Sequence, residues 1–165
     1  MADEKSGNSR RTANLIAKFK GAMSHLDLAP DAQDRLTPAE REAMYERVVA
    51  AIEAGDHESA LDDALALVAA EPWERQYLLA LATCLHHVAL YEQAVQIYGL
   101  AYLLDATDAL CAYRMGECLG ALHELDDARD AFESSIRLCA LDALRYSQVR
   151  QQAEHRLQEL SGLGH

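Results

Sequence analysis

Few residues in this chain could do covalent or metal chemistry. The nearest approach to a catalytic group is Cys84 with the adjacent His86 and His87, and Cys111, Cys118 and Cys139 lie scattered downstream. Ligands or catalytic groups must converge on one point. Adjacent helical residues point about 100° apart, so His86 and His87 do not face one ion as a pair four residues apart would. There is no C-x-x-C pair, and no phosphate loop, dinucleotide fingerprint, nucleophile elbow or H-E-x-x-H helix. Cys84 and Cys118 also share one column of an internal repeat in mid-helix, where small core residues belong. The expectation is no catalysis, no metal and no cofactor. An enzyme or metal protein built on these residues is the alternative, and it demands stoichiometric metal in the purified protein.

A second set of residues suits binding. Tyr45, Val49 and Ile52, then Gln76, Leu79, Thr83 and His86, then Leu110, Tyr113 and Glu117 recur at three- and four-residue spacing on successive helices. Six of these ten are apolar or aromatic. Such a stripe is wasteful on a free helix face, but in a hollow it buries the side chains of an extended peptide or an amphipathic segment. Gln76, Thr83, His86 and Glu117 would then hydrogen-bond the ligand backbone. The competing reading makes part of the stripe core between repeats. A carboxylate placed at position 113 is expected to abolish partner binding while leaving helicity intact.

The elements that position these residues follow from a period. Ala60, Ala94 and Ala128 stand 34 residues apart, preceded two residues earlier by Glu58, Glu92 and Asp126 and followed four later by Ala64, Tyr98 and Phe132. That interval is the length of a tetratricopeptide (TPR) helix pair. The alanine column marks where the second helix of each pair approaches the first too closely for a larger side chain. The fold class is therefore all-α: three tandem TPR-like helix pairs forming a short solenoid with a concave groove. The first helices line that groove.

In chain order, residues 1–11 read as a disordered tail, and residues 12–36 as an N-terminal helical extension and linker. Within the extension, Leu15, Ile16, Phe19 and Met23 make one apolar face of a short amphipathic helix from Thr12 to Met23. That face must meet either its own domain or a second copy of the chain. Residues 37–161 form the TPR domain. Thr37-Pro38-Ala39-Glu40 is a capping-box start, Gly55-Asp56 a turn, and the second pair opens at Pro72 with a helix from about Trp73. The third pair runs from about Thr107 to Cys139. Asp142 is expected to cap a last helix, Ala143 to Leu160, whose polar face closes the stack.

Composition bounds the partners. Fifteen Lys and Arg against 27 Asp and Glu give a formal charge of −12 with no basic cluster, which argues against nucleic acid. The acidity either keeps a surface with an apolar groove soluble or attracts a basic partner. No apolar run approaches the ~20 residues a membrane helix needs, and no secretory core opens the sequence. A cytoplasmic protein in a reducing compartment is expected, with no membrane contact.

Particular stretches carry a resemblance. Tyr91-Glu92-Gln93-Ala94, the segment from Ile97-Tyr98 to Leu104-Asp105, and Gly116-Glu117-Cys118-Leu119 followed by Glu124-Leu125 resemble the class II chaperones of bacterial type III secretion systems. The resemblance covers about Leu36 to Leu160. It implies a cytoplasmic bacterial chaperone whose groove binds hydrophobic translocator proteins, keeping them soluble and secretion-competent. It also implies a homodimer when unbound, formed through Leu15, Ile16, Phe19 and Met23, and in some members an interaction with a transcriptional activator. Tyr45 matches a position that tends to be aromatic in that family. The alternative is a generic TPR interaction adaptor or a chaperone of the needle subunit.

Overall fold

The computed structural model describes residues 36–163. The expected tail and the amphipathic helix carrying Leu15, Ile16, Phe19 and Met23 lie outside the described residues. Seven helices and no strand occur among those described: α1 (Pro38–Glu53), α2 (His57–Ala70), α3 (Arg75–His87), α4 (Tyr91–Leu104), α5 (Ala109–Ala121), α6 (Leu125–Cys139) and α7 (Ser147–Leu163). They divide into two compact units, one ending at Leu90 and one beginning at Tyr91. In the first, α1 packs on α2, α2 on α3, and α1 also touches α3. In the second, α4 packs on α5, α5 on α6 and α6 on α7, and α7 reaches back to α5.

Local chemistry sets the helix boundaries. At the start of α1 the Thr37 hydroxyl accepts the Glu40 N–H at 3.3 Å and the Glu40 carboxylate accepts the Thr37 N–H at 2.7 Å, the expected capping box. These bonds favour the ionised carboxylate and hold Glu40 below its ordinary range. At the other end of the first helices, Gly55, Ala89 and His123 all take the left-handed conformation, with φ of 77°, 62° and 62°. They are 34 residues apart. Each closes its helix with the same two bonds: Gly55, Ala89 and His123 N–H reach back three residues, and Asp56, Leu90 and Glu124 N–H reach back five, all at 2.9–3.1 Å. This is the Schellman pattern. Only the first copy uses glycine, so the other two bear the ~1–2 kcal/mol strain of a left-handed L-residue.

Among the boundaries that differ from the sequence reading, two have a local cause. The helix expected from Trp73 begins at Arg75, because the Glu74 side chain accepts the Gln76 N–H and caps it there; Trp73 is left 71% exposed. The last helix begins at Ser147 rather than Ala143. Asp142 does accept an N–H, from Arg145 at 3.1 Å, but it opens a single turn that seats Tyr146 against Ala109 and Cys139 before α7 starts.

The core follows the repeat columns. Ala60, Ala94 and Ala128 are buried, as are Ala64, Tyr98 and Phe132 four residues on. The third pair shows why the columns must be matched. A Cβ added to Gly116 on α5 would stand 2.7–2.8 Å from the Phe132 ring of α6, so this glycine lets a phenyl ring fill the helix interface. Polar links also join the helices. The Ser135 hydroxyl donates to the Ala109 carbonyl at 2.7 Å, the Cys111 thiol to the Tyr98 carbonyl at 3.2 Å, and Arg47 pairs with Asp63 at 2.9 Å.

Gly120 lies one turn beyond Gly116 on the same helix, and a Cβ there would meet nothing within 4 Å. Gly116 lies mid-helix and Gly120 in the last turn, so the propensity gain from alanine is no smaller at Gly116 and a net loss there reports packing. Gly116→Ala is expected to be less stable than Gly120→Ala by about 1–3 kcal/mol in chemical unfolding, the usual cost of overpacking. Equal stabilities would show that the Phe132 contact does not set the α5–α6 distance.

Candidate binding surface

In the first unit, α1 presents Tyr45, Val49 and Ile52, all half-buried, and α3 presents Leu79, Thr83 and His86, also half-buried, with Gln76 exposed at its start. The Tyr45 ring meets that of Tyr77 with centroids 5.4 Å apart and planes tilted by 51°, an edge-on aromatic contact linking α1 to α3. Burial, then the neighbouring Tyr77, Glu74 and Glu42, hold the Tyr45 phenol above its ordinary value, so it stays a neutral hydroxyl donor. Thr83 donates its hydroxyl to the Leu79 carbonyl at 2.8 Å. Its proton is thus used within the helix, and only its oxygen remains to accept from a ligand.

Nearby imidazoles stack rather than converge. His57 and His87 lie with ring centroids 3.9 Å apart and planes within 15°, and His86 lies 5.5 Å from His87. Ring nitrogens present their lone pairs in the ring plane, so stacked rings do not aim at a shared ion. No group of three His, Cys, Asp or Glu side chains that could hold a metal occurs among the described residues. Cys84, Cys111, Cys118 and Cys139 are all buried. Burial pushes the Cys84 and Cys118 thiols up to about 12, which keeps them protonated and unreactive. The core placement read from the repeat column is what the structure has.

In the second unit, Leu110 is 41% exposed on α5, whereas Tyr113 is 4% exposed and packs its ring 5.6 Å from that of Phe132. A Tyr113→Asp change would therefore remove a core ring as well as any ligand contact, so it is not a clean probe of binding. The Tyr113 hydroxyl donates to Glu117 at 2.9 Å. Glu117, half-buried, also receives Arg114 from its own helix at 2.7 Å and Arg156 from α7 at 3.4 Å. Burial first, and then the Glu117 carboxylate, raise the Tyr113 pKa, while hydrogen bonds to Tyr113 and Glu159 raise that of Arg156. Beside this network, α5 and α7 flank an open cleft of ≈ 600 Å³, with Tyr113, Arg114 and Glu117 on one wall and Gln152, His155 and Arg156 on the other.

Sequence reasoning missed Tyr77 and the α7 wall. Tyr77 falls beside Gln76 in the register, one step off the stripe of Gln76, Leu79 and Thr83. The polar composition of α7 reads as a solvated closing face, although Gln151, Gln152, His155 and Arg156 recur at helical spacing.

No protein-family model matches the chain, and no curated protein does. Solved structures do. PcrH of Pseudomonas aeruginosa, in complex with the chaperone-binding region of PopD, superposes with a TM-score of 0.74 and 26% identity over 80% of this chain and 99% of PcrH. The same protein with the chaperone-binding region of PopB gives 0.66 and 27%, over 73% and 96%. The chain has the fold of the type III secretion translocator chaperones. SycD of Yersinia enterocolitica, bound to a peptide of the translocator YopD, gives 0.72 over 78% of this chain and 98% of SycD; at 18% identity it speaks for the fold alone. The resemblance to class II secretion chaperones and the all-α, TPR-like architecture read from sequence are both borne out.

The buried thiols generate a direct test. At pH 8, iodoacetamide should leave Cys84 and Cys118 unmodified in the folded chain and alkylate all four cysteines once guanidinium unfolds it, as read by intact mass. The sign of the linkage follows. The unfolded thiol, near 9.0, loses its proton before the folded one near 12, so this contribution to stability is intact below pH 9 and is lost as pH rises towards 12. Rapid labelling of the native chain at either site would contradict the burial.

Proposed function

We propose that the chain is a translocator chaperone of a type III secretion system. It binds an extended apolar segment of a hydrophobic secreted protein on the free faces of its first helices and keeps that protein soluble until export. The observation that carries this reading is the match to PcrH, a protein solved with the chaperone-binding regions of PopD and PopB, over nearly its whole length. The half-buried stripe of Tyr45, Val49, Ile52 and Leu79 supports it, since these side chains offer apolar area without being spent on core packing. Gln76, Thr83, His86, Leu110 and Glu117 are proposed as the flanking contacts, and the Tyr113 hydroxyl as an edge of the surface rather than an anchor.

The same reading places the protein in the bacterial cytoplasm, acting by binding rather than catalysis. No helix among the described residues is long and apolar enough to cross a membrane. We further propose a homodimer in the unloaded state, by analogy with SycD, which has been solved in an alternative dimer. Release needs no nucleotide, because competition at the export apparatus can displace a segment held by a few anchors.

Co-expression with each of two candidate hydrophobic translocators, followed by size-exclusion chromatography with light scattering, tests the function. A soluble complex should form where the translocator alone aggregates. Leu79→Asp should lower the recovered complex at least tenfold, a loss of about 1.4 kcal/mol or more, with helicity unchanged. Full recovery with Leu79→Asp would remove the surface assignment. Failure to solubilise either protein would leave the fold with the role of a general TPR adaptor or a needle-subunit chaperone.

A further inference from the structure

Charge is unevenly placed along this chain. Residues 36–90, the described part of the first unit, carry ten Asp and Glu against three Arg, and Arg41 and Arg47 are already paired with Glu71 and Asp63. All three lysines precede Gly21. The stretch from Lys5 to Leu26 contains no Asp or Glu, and within it Arg10, Arg11, Lys18 and Lys20 accompany the apolar face of Leu15, Ile16, Phe19 and Met23. Successive helical residues turn by about 100°, so at helical periodicity Lys18 and Lys20 flank that face on its two sides. A basic amphipathic segment is thus tethered to an acidic body.

Arg41 fixes where the tether ends. Its guanidinium donates to the Leu36 carbonyl at 2.6 Å and pairs with Glu71, just past the end of α2, at 3.6 Å. Two residues on stands Trp73, the chain's only tryptophan, with its ring exposed in the turn into α3. The Tyr45–Tyr77 contact holds the start of α3 against α1. The entry of the chain, Trp73 and the two tyrosines therefore share one end of the first unit. A large exposed ring beside half-buried tyrosines is apolar area awaiting a partner, and the Glu71 carboxylate next to it is still half exposed.

We infer that residues 10–23 dock in cis on this end of the first unit, laying Leu15, Ile16 and Phe19 against Trp73 and the Tyr45–Tyr77 pair, with Lys18 and Lys20 beside Glu71 and Glu74. Residues 24–36, a linker by sequence, span roughly 20 Å on average, enough to return the segment to the surface beside which it enters. So short a tether holds it at an effective concentration on the order of millimolar, above what a second chain reaches in dilute solution. Any homodimer is then built on other faces. Tyr45 belongs to the stripe proposed for the secreted ligand, so the docked segment shields that end of the stripe until a ligand displaces it. The shielding rests on the chaperone reading; the docking does not.

Because Trp73 is the only tryptophan, its fluorescence reads the docking in the full, unlabelled chain. Acrylamide should quench the native chain at least about twofold less than Phe19→Asp, and about 500 mM NaCl should weaken that protection. Lys18→Glu combined with Lys20→Glu should expose Trp73 likewise, and neither variant touches the seven helices. A carbodiimide should join Lys18 or Lys20 to Glu71 or Glu74 as an amide. In an equal mixture of ¹⁴N and ¹⁵N chains, unfolded and refolded together, the joined peptides should carry one label. Equal quenching of the native chain and both variants overturns the docking, and joined peptides of mixed label overturn docking in cis. Persistence of the cross-link in a complex with a candidate translocator overturns the shielding. The two readings fail separately. Docking with no translocator solubilised stands without the chaperone, and a translocator solubilised by a chain whose Trp73 is quenched equally in native and Phe19→Asp forms leaves the chaperone without the docking.

Discussion

The fold depends on pairs of helices coming close enough that one side chain at each crossing must be small. Ala60 and Ala128 supply that side chain on α2 and α6, and between α5 and α6 Gly116 removes even a methyl group so that Phe132 can enter. Packing of this kind is non-directional but unforgiving of volume, since interiors are filled to crystal density and an added carbon has nowhere to go. The left-handed residues at Gly55, Ala89 and His123 complete the constraint. Each ends its helix with the same pair of backbone bonds at the same place in the repeat.

Once the second helices are committed to packing, the first helices keep a face that packing does not consume. On α1 and α3 that face carries Tyr45, Val49, Ile52 and Leu79 in a half-buried state, apolar yet still reachable. On α5 the equivalent positions diverge. Leu110 stands exposed, Tyr113 turns its ring into the core, and Glu117 gathers two arginines and a phenol. The proposed contacts are therefore apolar on α1 and α3, and mixed on α5, where a carboxylate and a phenol join the exposed Leu110.

Much of this was legible in the sequence. A column such as Ala60, Ala94 and Ala128 survives because helix crossings tolerate so little volume, and the capping box at Thr37 survives because orphan N–H groups need a partner. The buried place of Cys84 and Cys118 could be read the same way, from a shared column. What sequence hid depended on which of two alternatives the tertiary structure chose. Tyr113 could have faced a groove or the core; the vacancy made by Gly116 and filled by Phe132 drew its ring inward. Ala89 by its type gave no sign of a left-handed turn; only its place one 34-residue repeat after Gly55 marks it. The helical spacing of the α7 residues was visible, but not that Arg156 also reaches Glu117, 39 residues away.

The most direct measurement is amide hydrogen exchange on the chain alone and in complex with a co-purified translocator. The account predicts slower exchange on binding in α1 around Tyr45 to Ile52, in α3 around Gln76 to His86, and on the facing parts of α5 and α7, with α2, α4 and α6 little changed. Protection confined to the second helices, with α1 and α3 unaffected, would contradict it.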